Sequence, residues 1–234
     1  MKMKKSQIKR FGRFFFWFIF LTTVIFHSGC GMVSIMGTPA RHERHIPAEY
    51  DLTKHKNKKL LVLVNQPVWL GARANLRYYL TRTMHEQLVK QIKIAPENLV
   101  DYDKLSAFRS NQPNFSLLSP AEVGRALRAD IVLLIVLEDY QLYEMADTGF
   151  QKGFLSVQAV LLDTATGEKI WPKAGKSKAV KVGFEFEERI QSVAIARLTA
   201  ACAHCTVRYF YDCPKDKFNI ADDRSGEAWE NWKR

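Results

Sequence analysis

The residues with the most reactive chemistry are the cysteines, and three of the four cluster near the end of the 234-residue chain at Cys202, Cys205 and Cys213. Cys202 and Cys205 form a Cys-x-x-Cys pair with His204 between them, a spacing able to exchange disulfides in an oxidising compartment. Catalytic pairs sit where a helix begins, because its positive end stabilises a thiolate. This pair falls near the end of an apolar helical pattern, where the dipole disfavours an anion. A tetrahedral metal site from Cys202, Cys205, Cys213 and His204 has suitable donors, but its spacing is that of no named zinc motif. The reading preferred is a structural disulfide from Cys213 back to Cys202 or Cys205. Closing a loop of about ten residues would add on the order of 2–3 kcal/mol and leave one thiol unpaired.

The fourth cysteine, Cys30, has different surroundings. Residues 2–13 carry six Lys or Arg and no acid, and a thirteen-residue apolar run, Phe14 to Phe26, leads to His27, Ser28, Gly29 and Cys30. As a helix the run spans about 20 Å at ~1.5 Å per residue, short of the roughly 30 Å hydrocarbon core. A basic start, a short apolar run and small residues at the cut mark a secretory signal. Ser28, Gly29 and Cys30 resemble the lipobox of bacterial lipoproteins, although His27 stands where such boxes usually carry Leu. The resemblance implies palmitate-type acylation of Cys30 and a chain anchored in the membrane, facing the periplasm. Gly31 is not the Asp that holds some lipoproteins on the inner membrane, which favours the outer one.

The formal charge of +11 falls to +5 once the six charges of the signal are removed. The densest basic run, Lys54 to Lys59, reads as a solvated linker end, and nothing suggests nucleic acid. His42, Glu43 and His45 read as solvated tether residues. Pro67 with Trp69, and Trp229 with Trp232, have the composition of interface anchors, with packing as a latch the alternative for the last two. No Gly-rich phosphate loop, serine elbow or paired acids appear, so no cofactor, small-molecule substrate or enzymatic activity is expected.

The elements that must position these groups follow from periodicity. Lys59 to Val64 and Ile131 to Leu137 are unbroken apolar runs of strand length, as expected of strands buried on both faces. Leu76, Tyr79, Leu80, Met84, Leu88 and Ile92 recur at helical spacing. Ser119, Pro120 and Glu122 form a helix start with a capping box, predicting a helix to Arg128. Residues 102–109 read as a weak helix and 99–100 as a short strand. Residues 154–162 and 168–171 read as partner strands around a turn at Asp163 to Gly167, followed by a strand over 178–184 and a long helix over 185–205. Residues 138–153 are a connection, either a hairpin end or a surface loop. Its Tyr140, Leu142, Tyr143, Met145 and Phe150 should not lie idle on a surface, so Tyr140, Tyr143 and Phe150 are candidate interface residues. The alternative is that they fold back over the sheet end. No pair of strands with ten alternating residues is visible, which gives no support to a membrane pore.

The order predicts an α/β (α+β sandwich) fold, a mixed central sheet flanked by helices. Residues 1–29 are then a signal peptide, 30–58 a lipidated flexible tether, 59–213 a single α/β domain and 214–234 a polar tail.

Lys59 to Val64 after the tether, Ala129 and Asp130 leading into Ile131 to Leu137, and the stretch Asp163 to Trp171 with its Thr166, Gly167 and Glu168 resemble one group of envelope proteins. It comprises the curli-export lipoprotein, the penicillin-binding-protein activator lipoproteins and the amino-terminal domain of TolB. The resemblance implies a non-catalytic domain that self-associates or docks an envelope protein partner. The alternative is a thiol-disulfide or metal-binding protein using Cys202, Cys205 and Cys213.

Overall fold

The computed structural model describes residues 44–70, 75–145, 150–187 and 190–219, all within the compact unit Arg44–Arg234. Cys30, His42, Glu43, Trp229 and Trp232 lie outside the described residues.

The two apolar runs become the centre of the sheet. Strand β2 (Leu60–Asn65) lies parallel to β3 (Ile131–Glu144), with Leu60 opposite Ile131 and Asn65 opposite Val136. A parallel pair needs a long crossover. Here it contains α1 (Leu76–Gln87), a π-helical turn (Leu88–Ile92), α2 (Tyr102–Asn111) and α3 (Pro120–Ala126). Beyond β3 the sheet is antiparallel: β4 (Phe150–Asp163) pairs along all of β3. Both β5 (Lys169–Trp171) and β6 (Lys178–Glu187) then pair with β4, β5 at Leu161 and Leu162 and β6 from Phe150 to Ala159. The result is a five-stranded mixed sheet, the α/β class expected.

Each face has its own core. On one, α1 and the long α4 (Gln191–Val207) cover the sheet, with Leu80, Met84, Leu133, Ile135, Leu155, Val157, Leu198 and Trp171 fully buried. On the other, α2 and α3 cover Leu61, Leu63 and Val132 with Leu105 and Val123. The capping box forms as expected: the Ser119 amide donates to Glu122 Oε2 at 2.7 Å and the Glu122 amide to Ser119 Oγ at 3.3 Å. α3 sits so close to the sheet that a Cβ on Gly124 would lie 2.3 Å from Thr164 Cγ2. Among the described residues no helix is long and apolar enough to cross a membrane.

Three boundaries differ from the sequence expectation. The strand expected to stop at Leu137 runs to Glu144, so the connection over 138–153 is the end of a hairpin of two fourteen-residue strands. Strands of that length were not legible, because their outer halves are polar and Gly-containing. The last strand likewise reaches Glu187, and α4 starts at Gln191 rather than 185.

The third difference lies in the stretch read as tether, since residues 44–58 are folded onto the domain. β1 (His45–Ile46) pairs with β7 (Cys213–Pro214), the amide of Glu49 donates to the Tyr209 carbonyl at 2.9 Å, and Leu52 is buried. The short helix α5 (Lys215–Asn219) continues the domain into the region read as tail, with Phe218 packed against the main core. Backbone hydrogen bonds, the Glu49 side chain bound to Trp171 and Lys178, and the buried Leu52 hold the 44–58 segment. Such ties leave no hydrophobic period to read.

Candidate functional site

Among the described residues the cysteines meet neither in a disulfide nor in a metal-ligand cluster. Cys202, Cys205 and Cys213 are all buried and form no disulfide with one another, which corrects the one expected from Cys213 to Cys202 or Cys205. Cys202 and Cys205 face inward from α4 among the main core residues, where they act as small apolar side chains. Burial pushes the Cys202 and Cys213 thiols up, away from the thiolate that exchange chemistry requires. The Cys213 thiol donates to the Tyr211 hydroxyl oxygen at 3.3 Å. Among the described residues no three His, Cys, Asp or Glu side chains converge as metal ligands, which corrects the metal alternative as well. His204 instead ties α4 to α5: its Nε2–H donates to the Lys217 carbonyl at 2.8 Å.

The candidate interface residues divide between the two faces of the sheet. Leu137 lies opposite Val157 but Asp139 opposite Ser156, so the strand bulges at Glu138. The Glu138 carboxylate accepts from Ser156 Oγ at 3.0 Å and Gln158 Nε2 at 2.8 Å, which fixes the bulge. One extra residue inverts the in-out alternation beyond it. Tyr140 and Leu142 therefore join Leu137 on the core side, and both pack against the main core. Tyr140 is thus a core-flanking residue of the strand itself. Tyr143, opposite Lys152, and Phe150, two residues earlier on β4 than Lys152, lie on the other face. They are 49% and 44% exposed. Lys181, Gly183 and Glu185 of β6 share that face and are exposed, and Glu185 pairs with Lys152 at 3.1 Å.

Among the described residues α2 and α3 cover this face over β2 and the start of β3, and the far half of the hairpin presents the exposed Tyr143 and Phe150 there. Trp69, another sequence candidate, is 69% exposed just beyond β2.

The two sheet edges are treated differently. Along β2 the Leu60 carbonyl accepts from the Val100 amide at 2.9 Å, Val64 from Arg109 Nη2 at 3.3 Å and Gln66 from Arg77 Nη2 at 3.1 Å. Burial and the neighbouring Arg77 charge hold Arg109 below its ordinary range. The arginines close an edge that would otherwise recruit a strand. Sequence reasoning missed them, since nothing in their spacing marks an edge-sealing role.

A cleft of about 550 Å³ lies between α1 and the chain before α2, lined by His85, Glu86, Val89, Lys90, Leu99 and Asp101 among others. Burial lowers the His85 pKa against the opposing pull of Asp101. With both charge signs on its walls, the cleft selects no ligand class.

No protein-family model matches the chain, and no curated protein matches its sequence. Among solved structures it is similar to lipoprotein GNA1162 from Neisseria meningitidis, with 16% identity, 61% of this chain and 92% of that chain covered, and a TM-score of 0.40. It is also similar to the PelC dodecamer from Paraburkholderia phytofirmans, at 14% identity, 70% and 89% coverage and a TM-score of 0.37. The LpoB C-terminal domain from Salmonella enterica gives 20% identity, 64% and 91% coverage and a TM-score of 0.34. The solved structures to which the chain is similar thus include one named as a bacterial lipoprotein and the C-terminal domain of LpoB.

Proposed function

We propose that the chain is a lipid-anchored envelope protein whose folded domain is a non-catalytic docking module facing the periplasm. The observation that carries this reading is the pair Tyr143 and Phe150, exposed on the sheet face at the end of the hairpin. Aromatics held on a rigid strand lose little conformational freedom on binding and are the side chains that dominate protein interfaces. Burial of all three cysteines, with the Cys202 thiol pKa pushed up, supports this reading over a thiol-exchange enzyme.

Anchorage rests on Cys30, at the end of the apolar run. Cys30→Ala is expected to abolish acyl-chain labelling and leave an unprocessed precursor in the envelope; labelling that persists in the variant removes the lipobox reading.

Docking rests on the aromatic pair. Tyr143→Ser with Phe150→Ser should cost about 1–2 kcal/mol of binding per residue and reduce cross-linking of the full chain to its envelope protein partner. The melting temperature should stay near that of the parent, because both side chains face solvent. A chain that cross-links to no envelope protein before or after these changes refutes docking, and loss of folding assigns the pair to the core.

A further inference from the structure

We infer that β6 pairs antiparallel with the β6 of a second copy of this chain, centred on Gly183. The inference rests on the reading of the domain as an interaction module and gives it a self-association geometry.

Three observations lead to it. β6 is ten residues long and pairs with β4 on one side, and no strand among the described residues pairs with its other edge. A regular edge of this length is a template for another strand, whereas the opposite edge, β2, is sealed by Val100, Arg77 and Arg109.

The charges on β6 are self-complementary. Lys181 and Glu185 are exposed on the same face, two residues to either side of Gly183. In an antiparallel pair about Gly183, Lys181 of each copy lies opposite Glu185 of the other. Any other antiparallel register separates them, and an in-register parallel pair sets Lys181 against Lys181. Like charges directly opposite destabilise a sheet and unlike charges stabilise it, so these residues favour the antiparallel direction and a register centred on Gly183. Lys181 has no ion-pair partner among the described residues, while the Glu185 bridge to Lys152 is half exposed on both sides and leaves the carboxylate accessible.

The residue at the two-fold axis suits the arrangement. Gly183 brings no side chain to the point where the copies meet, and the Phe154 ring occupies its space: a Cβ there would lie 3.2 Å from Phe154 Cδ2. The contact is isologous, as a closed dimer requires. It continues the sheet through both copies with the Tyr143 and Phe150 patches on one common face.

Charge reversal tests the pairing on the full chain in detergent, by sedimentation. The parent is expected to be dimeric. Lys181→Glu and Glu185→Lys, each with a circular dichroism spectrum like the parent's, should each weaken dimerisation about tenfold or more, because two symmetric pairs turn repulsive. An equimolar mixture should restore the dimer, since a heterodimer of the two variants regains both opposite-charge pairs. Gly183→Cys should cross-link to itself on mild oxidation, as residues directly opposite across an antiparallel pair lie within disulfide reach.

A monomeric parent, reversals that leave the dimer unchanged, or a mixture that stays monomeric overturns the pairing. If the parent is monomeric while the Tyr143 and Phe150 changes still abolish cross-links to another envelope protein, edge pairing fails and docking stands. A dimer abolished by charge reversal, together with cross-links to another envelope protein that survive the aromatic changes, supports the pairing and counts against docking through those aromatics.

Discussion

Trp171→Ala is expected to destabilise the domain by about 3–5 kcal/mol, the cost of removing a large aromatic from a core that cannot collapse around it. Trp171 is fully buried, with its ring 4.8 Å from Phe210 in an edge-on contact and 5.8 Å from Tyr209. Its Nε1–H donates to Glu49 Oε2 at 3.0 Å, and Lys178 Nζ binds the other oxygen of the same carboxylate. One side chain thus joins β5, the chain after α4 and the 44–58 segment. Against a typical domain stability of about 5–15 kcal/mol, the loss should appear as a large drop in the denaturant midpoint. Cleavage by protease within residues 44–58 should rise in parallel. Trp171→Phe keeps most of the packing and loses the Glu49 bond, so its cost should be near 1 kcal/mol. Equal losses in the two variants would mean that the hydrogen bond, rather than the packing, carries the effect.

Acid should destabilise the domain through His204, whose pKa burial lowers from 6.5 to about 4. The positive charges of Arg208, Lys217 and Lys90 push in the same direction, and the hydrogen bond to the Lys217 carbonyl opposes them. Above pH 6.5 the imidazole is neutral both folded and unfolded and contributes no pH dependence. Between about 6.5 and 4 the unfolded chain takes up a proton that the folded chain refuses, so stability falls as the pH falls; below about 4 both states are protonated and the loss is complete. At 1.36 kcal/mol per pKa unit the loss is about 3 kcal/mol. Urea unfolding at pH 7 and pH 4 measures it, with His204→Gln as the reference that should lack this component. Equal pH dependence in parent and variant would place the acid sensitivity elsewhere.

Much of the fold is legible in the chain because its signals are local. The apolar runs at Leu60 to Val64 and Ile131 to Leu137 are uninterrupted because helices cover both faces of those strands. Ser119, Pro120 and Glu122 need only each other to start a helix. At the turn, Asp163 Oδ1 accepts from the amides of Ala165 and Thr166 at 2.9 and 3.1 Å, and Gly167 takes a positive φ of 75°. These groups meet within four residues, so composition suffices to place them.

What the sequence by itself determined is therefore the α/β class, the two central strands and the capped helix. Tertiary structure alone decided which side each aromatic of the hairpin faces, because a bulge at Glu138 moves Tyr140 to the core side and turns Tyr143 to the opposite face. It also decided that residues 44–58 belong to the domain, through hydrogen bonds to Tyr209 and Trp171 more than a hundred positions away. The cysteines show the same limit: their spacing permits a disulfide or a metal site, and only the packing of α4 and β7 makes them core side chains. In each case the deciding partner is distant in sequence, and residue type and spacing carry no record of it.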